Sequence, residues 1–287
     1  VCSSDLVSQP ELTRCNMALT VNTNMSALRA ANTLNSTQGA LSQTLARVSS
    51  GMRITRAADD AAGSAVAANL STLARSGKQA IRNANDGVSV IQTAEAAANE
   101  VSSILDRMRE LAVQASSETL HDDERAYLNT EAQALSDEVE RIANSNSFNG
   151  ISLSAAAGTL DVQVGVDASS NSRVTITLGD LSTDNLSVET TDIVLTAAST
   201  AQTAITTIDA AIDSVNSIRA SYGSVHNRLE SSVNNMSSYV EALSAAASQI
   251  QDADYAHETA EMTRLQVMQQ AGVAALGQAR SINTSVI

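Results

Sequence analysis

A chain of 287 residues with 2% aromatics and no Trp is poorly suited to a thick globular core, and its 43% hydrophobic content is largely Ala, which suits narrow helix bundles with close axes. A formal charge of −14, with one lysine (Lys78) and scattered arginines, argues against nucleic acid as a partner. No apolar run reaches membrane-spanning length, so no membrane insertion is expected.

Cys2, Cys15 and Pro10 all precede Met17, and from Met17 onward there is neither Cys nor Pro. Residues 1–16 lack a secretory-signal pattern and read as a non-native extension upstream of the true start. Beyond them no disulfide or thiolate metal site is available, and uninterrupted helices are permitted. Val21 to Met52 carries Met25, Leu28, Leu34, Leu41, Leu45 and Val48 at helical spacing, but Asn, Gln, Ser and Thr fill the gaps. Such a helix is marginal alone and is expected to order against partners. Gly51 can end it, and Asp59 and Asp60 suit the start of the next helix, where carboxylates meet the positive end of the helix dipole.

The dominant stretch is Leu70 to Ala115. Leu70, Leu73, Gly77, Ala80, Ala84, Gly87, Ile91, Ala94, Ala98, Val101, Leu105, Met108, Ala112 and Ala115 alternate in steps of three and four. That heptad seam predicts one helix of about 55 residues, on the order of 80 Å. Asn85-Asp86-Gly87 could form a turn, but a turn would reset the seam, and the phase holds. Leu120 to Asn144 is a third helix, with Asp122, Asp123 and Glu124 in its first turn and Leu128, Ala132, Leu135, Val139 and Ile142 as its seam. Phe148, the one Phe, reads as an apolar plug at the Asn149-Gly150 turn. From Leu160 the period becomes two: Leu160, Val162, Val164, Val166, then Val174, Ile176 and Leu178 across a polar loop, a hairpin signal. Asp180 to Thr191 reads as a polar loop. A second seam follows: Ile205, Ile208, Ile212, Val215, Arg219, Tyr222, His226, Leu229, Val233, Met236, Val240, Leu243, Ala247 and Ile250. Arg219 and His226 interrupt it, with Ile218 and Val225 beside them. A last helix holds Met262, Leu265, Met268, Gly272 and Leu276, and could pair with the Val21–Met52 segment.

The expected fold is mainly α: a long antiparallel helical bundle or coiled coil from the N- and C-terminal halves, with a small β-hairpin in the middle. Residues 17–56 form a terminal-helix segment, 57–150 the N-terminal half of a rod, 151–192 the β element and loop, 193–250 the C-terminal half of the rod, and 251–287 the other terminal segment.

Several runs resemble bacterial flagellin. They are Val21-Asn22-Thr23-Asn24, the connector from Arg53-Ile54-Thr55-Arg56 through Asp59-Asp60 to Gly63, Arg82-Asn83-Ala84-Asn85-Asp86-Gly87, Arg109-Glu110-Leu111-Ala112-Val113-Gln114, Phe148-Asn149-Gly150, Asn227-Arg228-Leu229-Glu230, Asp252-Ala253-Asp254 and Gln269-Gln270-Ala271-Gly272. The resemblance implies a short flagellin, a secreted extracellular subunit that polymerises with itself, is exported by the flagellar type III route with a chaperone, and meets cap and hook-junction proteins. It makes Arg53, Arg56, Asp59 and Asp60 the spoke connector. It also makes Arg107, Arg109, Glu110, Leu111 and Glu131 a patch for subunit packing, read as well by the flagellin-sensing Toll-like receptor of animal hosts. Asp106 and the Thr130-Glu131 context depart from the family pattern, as does the tail from Ser281 to Ile287, which is poorer in Leu.

No enzymatic chemistry, cofactor or metal is expected. His257-Glu258-x-x-Glu261 is one residue from the H-E-x-x-H zinc motif, but Glu261 stands where the second His is needed, so a solvated helix face is the better reading. His226 reads as a register-setting polar group rather than a ligand. The rival readings are a hook–filament junction protein, a peptidase-bearing flagellin and a generic intracellular coiled-coil scaffold.

Overall fold

The computed structural model describes residues 24–284, with side chains to Ser281. The expectations for residues 1–16, for Val21-Asn22-Thr23, and for Ile282, Val286 and Ile287 lie outside what is described. Among the described residues six α-helices and four short strands occur in the order α1 Met25–Ser50, α2 Ala61–Ala115, α3 Asp122–Ser145, β1 Ser147–Phe148, β2 Ile151–Ser152, β3 Gly158–Gln163, β4 Arg173–Leu178, α4 Thr183–Leu186, α5 Ala198–Gln251 and α6 Tyr255–Thr284. The chain divides into two compact units, one holding the chain up to Ala65 with Ile250 onward, the other Val66–Gln249.

In the larger unit α2 and α5 lie antiparallel. A Cβ added to Gly77 would meet Val240, one added to Gly87 would meet Leu229, and Arg109 bonds Asp209, so the register holds from one contact to the next. The α2 seam is a single helix, as its phase predicts, and every seam position from Gly77 to Ala115 is buried. The missing Cβ at Gly77 and Gly87 is filled by side chains of α5 and β3, not by a neighbouring backbone. A second row, Val90, Ile104 and Leu111, is buried as well. It widens the stripe where a third helix is present. That helix, α3, runs antiparallel to α2, with Arg107 meeting Glu131 and Arg125 reaching the carbonyl of Ala115.

The α5 seam has a shifted half. Ile208, Val215, Tyr222 and Leu229 are buried as expected, but their partners are Ala204, Ala211 and Val225, with Ile218 half-buried between them. Ile205, Ile212, Arg219 and His226 sit one position out and are half-buried. Small Ala side chains on the inner row let α5 approach α2 closely, while Ile205 and Ile212 cover the flank of the core.

The hairpin is as expected: β3 and β4 pair antiparallel, with Leu160 opposite Ile176 and Val162 opposite Val174. Val162, Val174, Ile176 and Leu178 face inward. Strands β1 and β2 turn at Asn149 and Gly150, both at positive φ, a conformation that suits Asn-Gly and closes a tight hairpin. Phe148 packs half-buried on the core. The 180–191 segment corrects the reading as a polar loop. It contains α4, and Leu181, Leu186 and Val188 are buried anchors, followed by Ile193 and Leu195 before α5 begins. Their spacing follows neither a helix nor a strand, so periodicity misses them.

The smaller unit pairs α1 with α6, also antiparallel. Asn24 donates to the carbonyl of Ala279 (2.9 Å), Gln38 and Gln269 are hydrogen-bonded, and Arg47 meets Glu258 at 3.5 Å. Asn24 caps α1 through Ala27 N–H, and Gly51 ends it at φ 70° with its N–H on the carbonyl of Arg47.

Candidate functional site

Two kinds of surface are built by these elements: a charged cluster on α2 and α3, and the faces of α1 and α6. The five residues proposed for one patch fall into three places. Arg107 accepts company from both helices, donating to Glu131 at 2.9 Å and to Glu110 at 2.9 Å. All three are exposed, and the two carboxylates raise the guanidinium pKa, the Glu131 bond most. Arg109, two residues on, points nearly half a helical turn away and bonds Asp209 of α5 at 2.6 Å, which holds the Asp209 carboxyl below its usual range. Leu111 is 1% exposed and belongs to the core row under α3. So the patch is Arg107, Glu110 and Glu131, with Leu111 beneath it and Arg109 elsewhere.

The connector brings its residues together differently than expected. Asp60 caps α2 by accepting from Gly63 N–H at 2.9 Å. Asp59 instead folds the connector, accepting from Thr55 Oγ1 (3.0 Å), Arg56 N (3.1 Å) and Thr55 N (3.2 Å). The Thr55 hydroxyl, then the Arg56 amide, lowers its pKa. Arg53 donates through its backbone to the carbonyl of Gln251 (2.7 Å) and through its guanidinium to that of Ile250 (2.6 Å), while Ala253 N–H meets the carbonyl of Gly51. The two connectors, 51–60 and 251–254, are thereby joined by backbone hydrogen bonds.

Sequence reasoning missed four polar ties. Arg125 is buried and donates to the carbonyls of Ala115 (3.0 Å) and Ser117 (2.9 Å), satisfying the open C-terminal end of α2. Glu140 accepts from Thr183 N and Oγ1, and Ser136 donates to the carbonyl of Val188, holding the 180–191 segment on α3. Tyr222 accepts from Gly179 N–H at 3.0 Å, and burial raises its pKa. An Arg as the fourth residue of the helix that follows α2 was a usable signal; the other partners are distant in sequence.

The faces of α1 and α6 are unusual in what they turn inward. On α1 the inner row is Ala27, Ala31, Leu34, Thr37, Leu41, Thr44 and Val48, and Thr37 and Thr44 are its buried members. Met25, Leu28 and Leu45, larger and apolar, are more than half exposed. On α6, Val267, Met268 and Val273 are likewise exposed, and Gln269 rather than Met268 holds the inner row. The zinc-like run is otherwise engaged: Glu258 is buried against Arg47, and Glu261 pairs with Arg264. Among the described residues no group of three or more His, Cys, Asp or Glu is placed to hold a metal ion, and no helix is long and apolar enough to cross a membrane.

Comparison with known proteins reads the same two halves. Residues 21–159 match the bacterial flagellin N-terminal helical region, and residues 205–287 match the bacterial flagellin C-terminal helical region. The chain belongs to the bacterial flagellin family. It is 39% identical to a flagellin of Halalkalibacterium halodurans over 93% of this chain and 98% of that one. It is 40% identical to a flagellin of Escherichia coli K12 over 63% of this chain and 37% of the relative. The chain thus spans about a third of the length of the Escherichia coli and Shigella flexneri flagellins it matches. A structure of a putative flagellar hook-associated protein from Vibrio parahaemolyticus superposes with a TM-score of 0.58, over 68% of this chain and all of that one, at 16% identity. At that identity it shows the shared fold alone. All of the hairpin from Leu160 onward and the 180–191 segment lie between the two matched flagellin regions.

Proposed function

We propose that this flagellin is the structural subunit of an extracellular flagellar filament and acts by polymerising with itself, not by catalysis. One observation supports it most: α1 and α6 face each other with Thr, Gln and Ala beside Leu34, Leu41, Val48 and Leu265, while Met25, Leu28, Leu45, Val267 and Val273 face out. Apolar side chains arranged in that way lose their contact with water only against neighbours, and identical copies repeating one head-to-tail contact form an open helical polymer. In dilute monomer α1 and α6 are then held weakly and become rigid on assembly. Purified chain added to sheared filament fragments should extend them, as seen by electron microscopy, and α1 amides should pass from fast to slow hydrogen exchange. Chain that extends no fragment and already shows slow α1 exchange as a monomer would falsify the reading.

Export by the type III route with a chaperone, and contact with cap and hook-junction proteins, follow from the same family reading. The Arg107–Glu110–Glu131 cluster is assigned to subunit packing and to the host flagellin-sensing Toll-like receptor. Because Leu111 is buried, Arg107→Glu is the better probe than Leu111→Asp, which would disturb the core. Arg107→Glu is expected to weaken both filament growth and receptor signalling; unaltered signalling removes the receptor role.

A further inference from the structure

Charge is distributed unevenly in the larger unit. From Ala61 to Asn85, α2 carries Arg75, Lys78 and Arg82 and no acidic residue. The three side chains recur at one face over about 10 Å and are exposed. Arg75 is bonded to Thr72 and Arg82 to Gln79, both neutral. Among the described residues no carboxylate forms a salt bridge with any of the three. Six other arginines, Arg47, Arg107, Arg109, Arg125, Arg141 and Arg264, each meet a carboxylate.

The opposite feature lies in the segment before α5. Residues 179–197 hold Asp180, Asp184, Glu189 and Asp192 and no Lys or Arg. Asp184 and Asp192 are exposed. The segment is fixed rather than loose, through Glu140–Thr183, Ser136–Val188, Asn129–Leu195 and Tyr222–Gly179. The basic face and the acidic segment do not meet within one chain. Gly77 packs beside Val240, so Lys78 lies near position 239 of α5, whereas the acidic segment is tied to Tyr222. Seventeen helical residues separate these positions, about 25 Å along α5. That exceeds the screening length of about 10 Å at ordinary salt.

We infer that the Arg75–Lys78–Arg82 face of α2 docks the acidic 180–192 segment of a second copy of this chain. The occupant is set by charge complementarity. A chain of net charge −14 repels itself, and this face is where an acidic neighbour is attracted rather than repelled. The inference rests on the self-assembly reading above and adds which surfaces meet. It predicts that assembly weakens with added salt in a way the apolar faces of α1 and α6 do not.

The test uses three full-length variants: R75E/K78E/R82E, D184K/D192K and the two sets combined. Seeded growth is followed by light scattering at low and at physiological salt. Each single set should slow growth about tenfold at low salt, and the combination should recover most of the wild-type rate. D184K/D192K decides against general repulsion, because it lowers the net negative charge and would then speed growth. Wild-type growth by either single set, or a combination no faster than its parents, overturns the docking. All substituted side chains are exposed, so unchanged circular dichroism is expected; should the triple variant not fold, K78E alone and combined with D184K gives the same comparison. If the wild-type chain extends no seed, the filament reading falls alone. The docking is then read as salt-sensitive self-association in sedimentation, which R75E/K78E/R82E must abolish for it to stand.

Discussion

The α2–α5 and α1–α6 pairs share one plan, two antiparallel helices meeting along a three-four seam, but among the described residues only the first is covered by other elements. From Val90 to Ala115, α2 is flanked by α3 and the β3–β4 hairpin, and its stripe widens to two buried rows. In the smaller unit, Ile54 and Leu265 are the buried apolar residues among those described, while bulkier side chains lie outside. Two helices alone bury one narrow row each; a third layer is what turns a seam into a core. The part of the chain without that layer is the part that calls for neighbours.

The largest effect expected within the covered region is from Leu105, which is fully buried in the core of the larger unit. Leu105→Ala should cost about 2–5 kcal/mol, the range for a cavity left in a packed core. Leu28→Ala in the uncovered pair, at a side chain more than half exposed, should leave monomer stability nearly unchanged. Chemical denaturation of both variants measures this. Equal losses would erase the distinction between the two pairs.

Arg125 tests what holds the third layer in place. Its buried guanidinium serves the Ala115 carbonyl at the end of α2 and the Ser117 carbonyl just beyond it, and replacing it removes both bonds. Arg125→Met, which keeps the apolar stem, should cost about 1.5–3 kcal/mol. The loss should appear as faster hydrogen exchange in α3 and the last turns of α2, with α1 and α6 unaffected.

How much of this was legible depends on whether one period governed the residues. The 55-residue α2 was readable because its seam keeps phase through Asn85-Asp86-Gly87. The hairpin was readable from strict alternation. On α5 both rows carry apolar residues, so Ile205 and Ile212 outweighed Ala204 and Ala211 by size, although close packing favours the smaller pair inside. Leu181, Val188 and Leu195 follow no period and were lost among their polar neighbours. For the charged site, a linear motif grouped Arg107, Arg109 and Leu111, of which the helical turn sends Arg109 to the far side, while Leu111 lies buried under the Arg107 side. Family membership was recoverable from the ordered motifs; the ties from Glu140, Ser136 and Tyr222 depend on three-dimensional neighbours and were not.

Two glycines sharpen the comparison with opposite signs. A Cβ at Gly77 would stand 2.5 Å from Val240 Cγ2, and a β-branched side chain has little room to turn aside. Gly77→Ala gains about 1 kcal/mol of helix propensity but overpacks the α2–α5 contact by about 1–3 kcal/mol, for a net loss. At Gly223, on the same pair, nothing lies within 4 Å, so Gly223→Ala should stabilise by up to about 1 kcal/mol. Thermal midpoints should move in opposite directions; a rise for both would mean that the α2–α5 contact near Gly77 is loose.

The smallest effect is a pH dependence that also separates the two regions. Thr183 N–H, then its hydroxyl, holds the Glu140 carboxyl below the usual glutamate range, against a smaller opposing effect of burial. A carboxyl with a folded pKa below its unfolded value stabilises the fold above the unfolded value, and that contribution is lost as pH falls through the folded one. The ordinary glutamate value is about 4.3, so the loss begins near there and is complete below the lowered folded value. Glu140→Gln should therefore be less stable than the native chain at neutral pH, and the gap should close on acidification, measured by urea unfolding at stepped pH. Asp59 in the connector is lowered in the same direction by Thr55 and Arg56, but it stands in solvent, where screening weakens such contributions. Asp59→Asn should show a shallower trend, and a steeper one would place more of the fold's acid sensitivity in the connector than in the tie between α3 and the segment that α3 holds.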